Sequence, residues 1–249
     1  MPVEPKLAAT VILLRERVFK LKSGADCEFQ VYMVKRHRNA RFMSEYHVFP
    51  GGAIDKQDLT QESKCRLIGL DDNFLKKLKD VHEDPSILWI IAIRELFEET
   101  GILIASNKEG NSIGNIEEIN TKLKKYQGKL QTKKITMTDI LTNENLYYAA
   151  NNLKYFGRFI TPALSPIRFD TQFFICKFPQ NQKIKLFYDE LTEGIWDSPR
   201  KLLYKFEKKE IKLIFPQYST LKRLERFKTI QEVFINSKNM SSRNLLHDF

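Results

Sequence analysis

Short runs rich in β-branched and aromatic residues alternate along the chain with longer stretches whose apolar residues recur every three or four positions. The pattern predicts strands and helices in irregular alternation. Residues 8–14 and 29–34 read as strands, with the turn composition of a hairpin at 22–26 between them. His47-Val48-Phe49-Pro50-Gly51-Gly52 predicts a short strand ending in a tight glycine turn. Residues 55–84 are polar, with one amphipathic helix expected at 73–82 around Phe74, Leu75, Leu78 and Val81. Asp84-Pro85 has the signature of a helix cap followed by a first-turn proline, and Gly101 that of a stop, so a helix is expected over 85–100. Its Ile87, Ile90, Ile91, Leu96 and Phe97 would hold it against a sheet, and 102–104 continues as a strand.

From 105 to 152 the chain is polar again, with helical patterns at 116–126 and 137–150. Strand patterns return at 155–161, 171–178 and 193–196, and helices follow at 199–206 and between 216 and 236. Strands alternate with helices without regular βαβ spacing, so the expected class is α/β (α+β), a mixed sheet between helices. Residues 1–249 are read as one domain, with insertions at about 55–84 and 105–152 and a helical C-terminal extension at about 198–240.

Within the helix at 85–100, Glu95, Glu98 and Glu99 stand at i, i+3 and i+4 and share a face near the C-terminal end. The helix macrodipole already places about half a negative charge there. Arg94 can reach Glu98 at i+4, but one guanidinium does not balance three carboxylates. An isolated glutamate pair is an ordinary solvated helix face. Three acids at the unfavourable pole, beside a glycine stop, call for a cation, and oxygen-only ligands select a hard one, Mg²⁺ or Mn²⁺.

Composition adds limits. With 249 residues, 42% hydrophobic, the chain can bury a sizeable core. Lys and Arg number 41 against 31 Asp and Glu, a net charge of +10 that favours anionic partners such as nucleotides, phosphate-bearing cofactors or RNA. Cys27, Cys65 and Cys176 are widely spaced, without a C-x-x-C pair, which points to a reducing compartment and neither zinc nor a redox motif. The opening residues lack a signal-peptide pattern, no run is long and apolar enough for a membrane span, and His247-Asp248-Phe249 is not a Ser-Lys-Leu address. A soluble, cytoplasmic protein that makes no membrane contact is expected.

Phe49-Pro50-Gly51-Gly52 and Arg94-Glu95-Leu96-Phe97-Glu98-Glu99-Thr100-Gly101-Ile102 resemble the two halves of the box that defines Nudix hydrolases, G-x5-E-x7-R-E-U-x-E-E-x-G-U, where U is apolar. The second half matches at every specified position. In the first half Asp58 stands where the family has Glu, and Arg94 follows it by 36 residues instead of 8, so 28 extra residues split the box. This resembles the branch typified by the peroxisomal coenzyme A diphosphatase, as do Arg41-Phe42-Met43 and Arg168-Phe169-Asp170-Thr171. Arg36, Arg41 and Phe49 to Gly52 also fall at the intervals of a coenzyme A-type motif, with Glu45 in place of its Gly.

The resemblance implies the Nudix fold and metal-dependent cleavage of a diphosphate linkage in a nucleotide-linked small molecule, coenzyme A or acyl-coenzyme A first. Dinucleotides, nucleotide sugars and capped RNA are the other substrates it allows. It assigns metal ligation to Glu95, Glu98, Glu99 and the Gly51 carbonyl, and to Arg94 the holding of a neighbouring carboxylate. Asp58 is either the stand-in for the box glutamate or an ordinary turn aspartate. Glu95, Glu190 and Glu193 compete as general base. Arg36, Arg41 and Arg168 are candidate phosphate clamps, with Phe49 and Gly52 beside the substrate, although Arg168 could instead pair with Asp170. His47 reads as a strand residue. A catalytically silent fold that binds nucleotide or RNA is the rival from another class. RNA binding would need aromatics interleaved with the basic residues, and no clean platform of that kind is visible.

Overall fold

The computed structural model describes residues 3–17, 27–40, 43–111, 116–179, 181–187 and 191–241, with 116–120 by backbone alone. The strands are β1 (Lys6–Glu16), β2 (Phe29–Arg36), β3 (His47–Val48), β4 (Gly51–Ala53), β5 (Leu67–Ile68), β6 (Ala105–Ser106), β7 (Tyr147–Ala149), β8 (Leu153–Ile160), β9 (Phe169–Lys177) and β10 (Leu191–Asp197). The helices are α1 (Gln61–Cys65), α2 (Asp72–Lys76), α3 (Ile87–Thr100), α4 (Ile116–Gln131), α5 (Met137–Asn143), α6 (Pro199–Glu207), α7 (Phe215–Leu224) and α8 (Ile230–Ser237). None of them is long and apolar enough to cross a membrane.

The larger sheet runs β10-β2-β1-β9-β8, with β3 paired to β2 and β4 to β1. It is mixed, because β1 and β9 are parallel while the other pairs are antiparallel. A small sheet, β5-β7-β6, lies apart from it. Alternation along the central strands sets the layers. Ala9, Val11 and Leu13 of β1, with Tyr32 and Val34 of β2, pack in one core with the apolar face of α3. Ile12 and Leu14, with Phe29, Val31 and Met33, pack in a second core with α6, α7 and α8. Strands covered on both faces read as nearly continuous apolar runs, which is why β1 and β2 stand out in the sequence.

Four expectations shift. Helix α3 begins at Ile87 because Asp84 accepts from the Ser86 amide at 3.2 Å and its hydroxyl and pairs with Lys64 at 2.7 Å, leaving Ser86 as the N-cap residue. The helix expected at 73–82 is only α2, although Leu78 beyond it is fully buried and Phe74, Leu75 and Val81 pack on the core. Residues 102–104 form no strand: the Gln182 side chain donates to the Leu103 carbonyl and accepts from its amide, both at 2.8 Å, satisfying the main chain as a partner strand would. The pattern at 137–150 divides into α5 and β7, with Asn145 between them at φ 52° in the left-handed region, which ends the helix.

Candidate active site

Helix α3 delivers Arg94, Glu95, Glu98 and Glu99 to one place. The Arg94 side chain is buried. Its Nε and Nη2 bind both oxygens of Asp58, at 2.7 and 2.8 Å. Nη1 donates to Glu95 at 2.8 Å and Glu98 at 3.2 Å, and Nη2 also to the Ala53 carbonyl at 3.0 Å. Asp58 is fully buried and accepts from the Asp55 amide at 2.8 Å, closing a reciprocal cap on a 3₁₀ turn, Lys56–Leu59. Asp58 thus has the backbone bond of a turn aspartate and, through both oxygens, also holds Arg94.

One guanidinium thus faces three carboxylates in a desolvated corner. Burial pushes the Glu95 carboxyl up to about 7, with the charges of Glu98 and Asp58 adding to the rise and Arg94 opposing it. Burial likewise raises Glu98, again against Arg94. For Arg94 burial disfavours the charge, but Glu95, Asp58 and Glu98 outweigh it and hold the guanidinium above its ordinary value. The corner is short of positive charge.

The glycine turn closes against this corner. The Thr10 hydroxyl bonds the Phe49 carbonyl at 3.1 Å and the Pro50 carbonyl at 2.7 Å, fastening the turn to β1. The Gly51 amide donates to Glu99 Oε2 at 3.0 Å. A Cβ on Gly52 would lie 2.5 Å from Glu95 Oε1, so any larger residue there would displace the Glu95 carboxylate from its place beside the strand. Sequence reasoning missed Thr10, since one threonine in an apolar strand carries no signal of its partner.

The far end of α3 is capped from α4. Gly101 takes the left-handed C-cap conformation at φ 71°. The buried Gln127 donates to the carbonyls of Glu98 and Lys185, each at 3.0 Å, and Gln131 also donates to Glu98. Carbonyls at a helix end otherwise lack partners. These amides went unread in the sequence because glutamine on a polar helix looks solvated.

A cavity of about 1010 Å³ opens on the corner, lined there by Arg94, Glu95, Glu98, Glu99, Gly51 and Gly52, with Arg36 and Phe49 in its wall. Its other end is aromatic and apolar, with Phe159, Phe173 and Phe215. Two predicted residues are elsewhere. Arg168 bonds the carbonyls of Thr161 at 3.0 Å and Val3 at 2.6 Å and does not line the cavity. Its expected partner Asp170 is taken by Arg158, at 2.8 and 2.6 Å. Glu193 stands on β10 beside His47 at 3.4 Å and Lys35 at 3.9 Å, also outside the cavity lining. His47 is a strand residue, as expected. Arg41 and Glu190 lie outside the described residues.

The donors at the corner are all oxygens and carry surplus negative charge, which suits a hard divalent cation. Among the described residues no three acidic, His or Cys side chains are disposed as they stand to hold a metal ion: Glu95 and Glu98 turn to Arg94, and Glu99 to Gly51.

Residues 73–224 match the family model described as the NUDT19 Nudix domain. A putative nudix hydrolase 7 of Caenorhabditis elegans is 30% identical over 199 residues, covering 80% of this chain and 57% of that protein. The Xenopus laevis acyl-coenzyme A diphosphatase NUDT19 is 27% identical over 245 residues, covering 86% and 64%. The chain therefore spans about three fifths of the length of these relatives. The crystal structure of a NUDIX hydrolase from Alicyclobacillus acidocaldarius superposes with a TM-score of 0.73 at 26% identity, covering 96% of this chain and 97% of that one. The split box, the mixed sheet between helices and a family match over more than half of its length place this chain in the Nudix hydrolase family, as a NUDT19-type member.

Proposed function

We propose that the protein hydrolyses the diphosphate linkage of a nucleotide-linked small molecule, coenzyme A or an acyl-coenzyme A first, in a reaction that requires Mg²⁺ or Mn²⁺. The observation that carries this is the single guanidinium of Arg94 set among Asp58, Glu95 and Glu98 at the end of a cavity large enough for such a molecule. The acyl-coenzyme A activity named for the NUDT19 relatives supports the choice of substrate.

Glu95, Glu98 and Glu99, with the Gly51 carbonyl, would hold the cation. When bound, it supplies charge neutralisation on the diphosphate oxygens and orients the attacking water. Arg94, anchored by Asp58, keeps Glu95 and Glu98 in place. Arg36, in the cavity wall, binds a phosphate of the substrate. Of the three acids weighed as base, Glu95 lines the cavity, Glu193 does not, and Glu190 lies outside the described residues; we assign the proton of the attacking water to Glu95 Oε.

Purified protein with Mg²⁺ or Mn²⁺ should convert coenzyme A to 3′,5′-ADP and phosphopantetheine. Glu98→Gln and Glu99→Gln should each lower turnover by about 10² or more, and should abolish the rise in melting temperature that Mn²⁺ gives the unaltered protein. Turnover of no diphosphate in a panel of coenzyme A, dinucleotides, nucleotide sugars and capped RNA, or a Glu98→Gln variant as active as the parent, overturns the reading.

A further inference from the structure

Beyond the carboxylate corner, the cavity continues into a wall for which diphosphate cleavage alone has no use. Phe159 of β8, Phe173 of β9, and Ile214, Phe215, Pro216 and Gln217 at the start of α7 form it. Two features are unusual for a wall that meets only water. Phe215 is 51% exposed, a large apolar side chain left open, with its ring 6.1 Å from that of Phe159. Gln217 is 94% buried, yet no described residue donates to its Oε1. A buried carbonyl oxygen without a donor is costly to keep unless something supplies the hydrogen bond. Both side chains line the cavity at the start of α7, so one ligand lying there can meet the ring and the amide.

We infer that this end of the cavity binds the uncharged, amide-bearing arm of the substrate, with Phe215 and Phe159 against its apolar carbons and Gln217 accepting from an amide N–H. The inference rests on the diphosphatase reading for which bond is broken, but the arm site is a binding site in its own right. The alternative occupant of an aromatic wall is a flat nucleobase. The Phe159 and Phe215 rings are tilted by 46° and close enough to touch each other, so they leave no parallel slot between them for a base. A flexible aliphatic amide needs none. Gln217 would then set specificity, because a site that pairs a substrate N–H discriminates strongly against analogues lacking one.

The test uses the full chain and two neutral probes without phosphate: pantetheine, kept reduced, as the amide arm, and adenosine as the base. Binding is measured by calorimetry and by the shift in melting temperature. Pantetheine should bind, adenosine more weakly, and Phe215→Ala and Gln217→Leu should each weaken pantetheine at least tenfold. Gln217→Leu removes an unpaired buried acceptor in favour of an apolar side chain of similar size, so its unliganded melting temperature should equal or exceed the parent's. A merely structural glutamine would show the reverse, a lower melting temperature with pantetheine affinity intact. Pantetheine that fails to bind, that binds both variants as tightly as the parent, or that is outcompeted by adenosine overturns the inference. Because neither probe is hydrolysed, these results stand apart from the outcome of the turnover assays.

Discussion

Two polar segments flank helix α3, and they grip it in different ways. The segment before it contributes a charge: Asp58, fully buried, holds Arg94 through two bonds of 2.7 and 2.8 Å. The segment after it contributes neutral amides: Gln127 and Gln131 of α4 donate to the Glu98 carbonyl. One fixes the side chains that face the cavity, the other the backbone that carries them. Stretches that read as decoration in the sequence therefore supply both supports of the carboxylate helix. The difference in kind matters, because loss of the buried carboxylate removes charge-assisted bonds, whereas loss of an amide removes neutral ones.

The largest consequence is expected at Asp58. Asp58→Ala leaves Arg94 with Glu95 and Glu98 but removes two charge-assisted bonds and the cap on Asp55, and should cost about 3 kcal/mol in urea unfolding. A loss no greater than that of an ordinary surface substitution would break the contrast at its stronger side. Gln127→Leu keeps the volume and deprives two carbonyls of a donor. Since Gln131 still serves Glu98, about 1–2 kcal/mol is expected from the same measurement. The smallest effect is the coupling between them. The Asp58 and Gln127 side chains bond no atom in common, so the double variant should depart from additivity by no more than about 0.5 kcal/mol. A larger coupling would mean that the two supports act as one.

How far the sequence revealed all this depends on the range of each contact. The spacing of Glu95, Glu98 and Glu99 and the stop at Gly101 are local, and they are where the periodicity put them. Strands β1, β2, β8, β9 and β10 were legible because apolar runs betray burial on one or both faces. Asp84 was misread because its carboxylate could cap a helix or bind Ser86 and Lys64, and short-range pattern does not decide between them. Residues 102–104 were misread because a glutamine side chain, far along the chain, replaced a strand partner. Arg168 and Arg158 both lie near Asp170, and only the register of β8 on β9 gives the pair to Arg158. Long-range polar partners such as Thr10 and Gln127 leave no periodic trace.

The parallel pairing of β1 with β9 joins residue 6 to residue 169 and residue 14 to residue 177. A ribosome emitting about 5–20 residues per second would thus hold β1, already able to pair with β2 and β4, for many seconds before its parallel neighbour β9 emerges. The glycine turn that shields Glu95 docks on that same first strand. Assembly of the cleft should accordingly be a late event in folding, slow as non-local pairings are, with the β9 edge of β1 open to chaperones meanwhile.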